Sequence, residues 1–226
     1  MKITMKETIR KELNRLVPDT GIESIYGEFW MRFELGGEGN KDSFKRIDQA
    51  TERGLEIYKQ LIGTNEVILV IEEWENSWIK VAQAEEIKEN YLHILLKKYK
   101  LNRFKGPFNQ TYYEEDSNGN KIEKIFDEQI ECDLSIGKIC LSIEEVEKII
   151  RGIASLEMGG EPFITQRVYF FSPTNQTGFN IYDDRGCDIW SNTIKELQPI
   201  YENLNDWILD YNRKEIDEMF EKEKTT

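Results

Sequence analysis

The segment Tyr182-Asp183-Asp184-Arg185-Gly186-Cys187-Asp188 sets three carboxylates within six residues, the donor type that Mg2+ or Ca2+ takes through oxygen. The spacing is not that of an EF-hand. Asp184-Arg185-Gly186 also supplies what a tight turn needs, with glycine tolerating positive φ and aspartate bonding its own backbone. In extended chain Asp183 and Asp184 would diverge to opposite faces, so the turn reading is preferred, with Asp183 and Asp184 as an alternative metal pair. A second group lies in Asn205-Asp206-Trp207-Ile208-Leu209-Asp210-Tyr211-Asn212-Arg213. Read as helix, it stacks Trp207 on Tyr211 and lets Asp210 reach Arg213 or Lys214. Packing of a terminal helix accounts for this pattern, and a functional version sets Asp210 and Arg213 beside Arg185 in a polar cleft.

Arg46, Gln49 and Arg53 form a third group, one helical stripe at i, i+3 and i+7, while Arg32 shares a strand face with Glu28 and Glu34. These cations could hold an anion or an acidic partner. They could equally neutralise Glu34 and the acidic pair Glu72-Glu73, the reading preferred in so acidic a chain. The candidate binding set is therefore Asp183, Asp184, Arg185, Asp188, Asp210, Arg213, Arg46 and Arg53, with no catalytic residue named and no cofactor implied.

Other chemistries are excluded by arithmetic. His93 is the single histidine, which rules out an H-E-x-x-H zinc site and multi-histidine metal binding, and helical geometry sets it on a solvated face with Glu86, Glu89 and Lys97, where a histidine-based triad is not expected. Cys132, Cys140 and Cys187 are an odd number without a C-x-x-C pair. Cys140, in an apolar run, reads as buried, and Cys187 adjoins a turn without a basic helix partner, so neither resembles an activated nucleophile. Gly37-Glu38-Gly39 lacks the third glycine of a dinucleotide loop, and Glu38 would repel phosphate.

The elements that must position these groups are well marked. Lys6 to Val17 has helical spacing and stops at Pro18, followed by an Asp19-Thr20-Gly21 turn. Glu28 to Leu35 alternates, with Phe29, Met31, Phe33 and Leu35 on one face. Asp42 or Ser43 can cap a helix burying Phe44, Ile47, Ala50, Leu55, Ile57, Tyr58 and Leu61, ended by Gly63-Thr64-Asn65. Val67 to Ile71 reads as a strand covered on both faces. A helix is expected from about Glu85 to Tyr99, and Ser117-Asn118-Gly119-Asn120 signals a hairpin. Ser142 with Glu145 is a capping box, opening a helix that ends at Gly159-Gly160. Phe163–Phe171, Gly178–Tyr182 and Cys187–Trp190 read as a three-stranded meander. The tail is helical over 194–220, with a break at Pro199, and 221–226 should fray. At 226 residues and 39% hydrophobic, the chain reads as one α+β domain, with a mixed or mainly antiparallel sheet and about five helices.

Two stretches carry a resemblance: RFELGG at Arg32 to Gly37 followed by Arg46, Gln49, Ala50 and Arg53, and YDDRGCDI with NDWILDYNRKEID. Together they resemble a bacterial family, found mostly in Bacillus-like Firmicutes, known as a domain of unknown function. The resemblance covers roughly Tyr26 to Phe220 and implies a single domain. It brings no catalytic residue with it.

Charge sets the functional expectation. The net charge is −13, and Tyr112 to Glu147 holds 11 acids against 3 bases, while Asp183 to the end holds 12 against 6. Such a surface repels nucleic acid and anionic membranes and favours a basic protein partner. The start lacks an apolar signal region, and the longest uninterrupted aliphatic run is Val67 to Ile71, far short of a membrane span, so a cytoplasmic location is expected. The expected function is a protein-binding or inhibitory module of the immunity-protein kind. The alternative is a metal-dependent hydrolase or phosphoryl-transfer enzyme using Asp183, Asp184, Asp188 or Asp210.

Overall fold

The computed structural model describes residues 4–17, 27–37, 42–63, 66–74, 91–115 and 121–223. The expected turns at Asp19-Thr20-Gly21 and 117–120, the first part, 85–90, of the helix expected to Tyr99, and the tail 224–226 lie outside them. In chain order the elements are α1 (Met5–Leu16), β1 (Phe29–Glu34), α2 (Ser43–Leu61), β2 (Glu66–Trp74), α3 (Tyr91–Leu96), β3 (Asn102–Lys105), β4 (Phe108–Glu115) and β5 (Lys121–Ile130). There follow β6 (Cys132–Cys140), α4 (Ile143–Met158), β7 (Arg167–Phe171), β8 (Thr177–Ile181), β9 (Gly186–Ser191), α5 (Ile194–Asn203), a 3-10 turn (Asn205–Trp207) and α6 (Asp210–Glu223).

Seven strands form one antiparallel sheet in the order β1-β9-β8-β7-β2-β6-β3, and β4 and β5 form a separate hairpin. The α+β class with a mainly antiparallel sheet is therefore correct. β2 lies between β6 and β7, and Val67 to Glu72 are buried, as the unbroken aliphatic run required. β7, β8 and β9 are the expected meander, although β7 begins at Arg167 and not at Phe163.

Strand alternation divides the core in two. Met31, Phe33, Leu69, Phe170, Phe179 and Ile189 face α2, α4, α5 and α6 across the larger cluster. Ile68, Val70, Ile136, Tyr169, Phe171 and Trp190 face α1 and Phe108 across the smaller. Ile9 and Leu13 bring α1 onto this second face, and Thr4 caps the helix by accepting from the Glu7 amide at 3.1 Å. Asp42, not Ser43, caps α2.

The capping box at α4 is complete, with the Ser142 amide on the Glu145 carboxylate at 2.9 Å and the Glu145 amide on the Ser142 hydroxyl at 3.2 Å. Glu145 also takes the Tyr99 hydroxyl at 2.8 Å and Lys98 at 2.8 Å. Partial burial pushes its carboxyl up, but the Lys98 ammonium, the Ser142 amide and the Tyr99 hydroxyl outweigh that and hold it down to about 2.

Four local expectations are corrected. Phe44 is 72% exposed, because it falls in the first turn of α2, ahead of the buried stripe that begins one turn later at Ile47. Cys140 is exposed, standing at the end of β6 on the polar side of the alternation. His93 is not merely solvated: its Nε2 lies 3.2 Å from a Glu73 carboxylate oxygen at the end of β2. The tail breaks at Leu204–Leu209 and not at Pro199, which sits within α5, and helix continues through Glu223 where fraying was expected.

Candidate functional site

The C-terminal end of β1 is where the two signature stretches meet. α2 runs back past this end, and its stripe caps three backbone carbonyls of the strand exit. Arg46 donates to Gly37 O at 2.7 Å, Gln49 to Leu35 O at 3.0 Å and Arg53 to Glu34 O at 3.1 Å. The i, i+3, i+7 spacing thus follows successive carbonyls of an extended chain turning away from its sheet. Arg46 also donates through Nε to the Asp184 carboxylate, which is fully buried. The Leu35 amide donates to Arg185 O at 2.8 Å, closing the contact between the strand exit and the β8–β9 turn. Gly36 permits this approach, because a Cβ there would stand 2.6 Å from Asp184 O and 2.9 Å from Arg46 Cγ.

The Asp-rich segment is the turn that its sequence describes. Asp183 accepts from its neighbour's amide, Arg185 N, at 2.7 Å and from the Arg185 guanidinium, a pairing that raises the arginine's already high pKa. Asp188 takes Arg32 in a fork of 2.7 and 3.0 Å across the β1–β9 pair. The three carboxylates therefore face three different arginines. Asp183 and Asp184 diverge, and among the described residues no group of three or more His, Cys, Asp or Glu side chains is placed to hold a metal. Cys187 is buried, and burial, with Asp188 beside it, pushes its thiol well above the ordinary range.

The third stretch joins from the outer edge of β1. Ile208 bridges Phe33, and the Leu209 amide donates to Arg32 O at 2.9 Å. Asn205 to Arg213 is consequently not one helix. Trp207 sits on the 3-10 turn, half-buried, with the Arg53 guanidinium 5.1 Å from its ring centre, and Tyr211 is 89% exposed, so the two aromatics do not stack. Arg213 donates to Asn205 Oδ1 at 2.6 Å and to the Asn205 and Ile208 carbonyls, not to Asp210. Asp210 is exposed at the first turn of α6, and neither it nor Arg213 joins the Arg185 turn. Arg46, Asp184, Arg32, Asp188 and Arg53 form the joint. Glu34 contributes its carbonyl, and no arginine of the set pairs with its carboxylate.

Beside the joint, β1 is flanked by two hollows that sequence reasoning missed. One, of about 280 Å3, lies on the face of the smaller core and is lined by Gly27, Trp30, Arg32, Asp188, Ile189 and Trp190. The other, of about 360 Å3, lies between β1 and α6 and is lined by Glu28, Phe29, Trp30, Glu215, Ile216, Glu218, Met219 and Lys222. A signal existed: Trp30 stands among Glu28, Arg32 and Glu34 on the polar side of the strand, where a large aromatic is out of place unless it lines a surface.

The profile of a family described as "Domain of unknown function (DUF3885)" matches residues 10–212, which includes the joint, the first two stretches and the third as far as Asn212. A relative from Bacillus subtilis (strain 168), "Uncharacterized protein YnaE", is 36% identical over 55 residues, or 24% of this chain and 26% of the relative's length. No solved structure matches the chain.

Proposed function

The chain belongs to the DUF3885 family, and because its own Arg-rich and Asp-rich stretches are occupied in holding β1, α2 and the β8–β9 turn together, we propose that it works through its surface. In this reading it is a cytoplasmic, acidic protein-binding module, inhibitory in the manner of immunity proteins, whose partner is a basic protein and not a nucleic acid. One observation carries it: the acid excess of the C-terminal helices faces outward while a basic residue of the same segment faces inward. Glu202, Asp206, Asp210, Glu215, Glu218 and Glu221 are exposed, whereas Arg213 is turned onto the protein's own carbonyls. Between Ile194 and Glu223 there are nine acids and four bases. Carboxylates so placed steer a cationic partner and make its capture depend on salt. The absence of a helix, among the described residues, long and apolar enough to cross a membrane is compatible with this reading.

The enzymatic alternative requires Asp183 and Asp184 to leave Arg185 and Arg46 for a metal, and no observation favours it. Capture from a Bacillus lysate with the immobilised chain, at low and at moderate salt, tests the proposal. Basic proteins released steeply by salt support it, and acidic or salt-insensitive captures overturn it.

A further inference from the structure

β1 is the edge strand of the seven-stranded sheet, and among the described residues only its end is covered, by Ile208 and Leu209. In an antiparallel ladder each residue turns its N–H and C=O to the same side, and the side alternates along the strand. Leu209 N reaches Arg32 O on the side away from β9, so Arg32 faces outward. Trp30, two residues earlier, must face outward too, and the segment at Ile208–Leu209 does not extend to it: α6 departs at Asp210, leaving the 360 Å3 groove alongside. Native sheets normally cover, charge or shorten such an edge.

The two hollows stand on opposite sides of this edge, and Trp30 lines both. An extended chain laid along it would send alternate side chains into one and then the other, the arrangement by which strand addition gains specificity. Their chemistries differ. The groove beside α6 is lined by exposed Glu28, Glu215 and Glu218 with Lys222, and Lys214 stands 3.9 Å from Glu218, which leaves acids in excess over bases. In the opposite hollow, Arg32 and Asp188 neutralise each other at 2.7 Å, and the remaining lining, Gly27, Trp30, Ile189 and Trp190, is apolar.

We propose that the outer edge of β1 at Trp30 binds an extended segment of a partner protein as an added strand, with basic side chains toward Glu28, Glu215 and Glu218 alternating with apolar side chains toward Trp30 and Trp190. The inference rests on the reading of the chain as an acidic module for a basic partner and names where and how that partner docks. Charge complementarity selects the occupant, since a second copy of this chain would bring the same acidic edge against itself.

The test is calorimetric titration of the full chain with the capped heptapeptide Lys-Val-Lys-Val-Lys-Val-Lys, its central-valine N-methyl derivative and the Glu-Val counterpart, with hydrogen exchange read at the Trp30 amide. The Lys-Val peptide should bind and protect that amide, N-methylation should weaken binding about tenfold or more by removing a backbone donor, and the Glu-Val peptide should not bind. Glu215→Lys/Glu218→Lys, at two exposed helix positions that leave the fold intact, should lower affinity by about tenfold or more. Equal binding of the N-methyl peptide, an unprotected Trp30 amide, or unchanged affinity of the double variant would each overturn strand addition at this edge. Salt-sensitive capture of a basic protein that the double variant retains overturns this docking site while sparing the acidic-module reading. Peptide binding at Trp30 without any such capture supports the site and removes that reading.

Discussion

Arg46 and Asp184, 138 residues apart in the chain, meet as an ion pair in which the carboxylate is fully buried and the guanidinium is also bonded to Gly37 O. The second oxygen of Asp184, Oδ1, is buried without a hydrogen-bond partner among the described residues, so this carboxylate depends on one cation. Removing that cation strands a buried charge, whereas removing both partners does not. Arg46→Ala should therefore cost about 3–5 kcal/mol in urea unfolding, and Arg46→Met combined with Asp184→Leu should cost clearly less than either change alone. A double variant as unstable as the sum of its parts would show that the pair is not coupled.

Glu145 provides the pH dependence. Its folded-state pKa, about 2, lies below the ordinary glutamate value, so its stabilisation is complete above the unfolded value near 4.5 and disappears as pH falls through about 2. Glu145→Gln keeps a capping side chain but loses the charge that Lys98 and Tyr99 address. The variant should be less stable by about 1–2 kcal/mol at neutral pH, and the two melting curves should converge in acid. Curves that stay equally separated from pH 7 to pH 2 would assign the loss to packing.

Gly178 lies under Trp190. A Cβ at this position would stand 2.1 Å from the indole Cε2, so the ring crosses β8 only because that strand has no side chain there. Gly178→Ala should lower stability by about 1–3 kcal/mol and shift tryptophan fluorescence, as Trp190 is forced from its place against Phe171 and Tyr169. The same displacement would spoil the hollow beside Trp30.

Trp207 and Tyr211, one turn apart in a helical reading, should behave oppositely. Trp207→Ala removes a ring that packs on the main core and carries Arg53, and should cost about 2–4 kcal/mol. Tyr211→Ala should change thermal stability by no more than about 0.5 kcal/mol, since the side chain is almost fully exposed. Arg185→Ala should cost more than Tyr211→Ala, about 1–2 kcal/mol, because it takes the guanidinium from the buried Asp183 and leaves that carboxylate its bond to the backbone amide at position 185.

Thiol titration of the native chain with a disulfide reagent should show one fast-reacting cysteine, Cys140. Cys132 and Cys187 are buried, and burial also pushes the Cys187 thiol upward. Cys140→Ser should abolish the fast phase. Fast reaction of all three would mean that the sheet opens readily.

Elements whose signals are local were legible in the residues themselves. Ser142 and Glu145 announced α4, the run Val67 to Ile71 announced a covered strand, and the Asn-Gly pair at 118–119 anticipated the pairing of β4 with β5. Relations between distant residues were not. The stripe Arg46, Gln49 and Arg53 was visible, but its targets are backbone carbonyls, which every residue has and no side-chain pattern reveals. Asn205 to Arg213 had helical spacing, and the bridge from Ile208 to Phe33 overrode it by drawing Leu209 into the ladder. The pairing of His93 with Glu73 likewise depends on where α3 docks, which periodicity does not specify.

The sheet order has a consequence for synthesis on the ribosome. β1 is made before every other strand of the large sheet, yet among the described residues its one strand partner there is β9, so Phe29 must wait for Ser191 to leave the exit tunnel. β7, β8 and β9 pair with successive neighbours and can assemble as they emerge, whereas the residues of β1, with Met31 and Phe33 bound for the core, spend most of translation unpaired. A chain stalled before Gly186 would display that apolar strand with no place to put it, and such nascent chains should be the principal clients of holding chaperones. The same late arrival of β9 makes β1, with its edge at Trp30, the last strand to join the sheet.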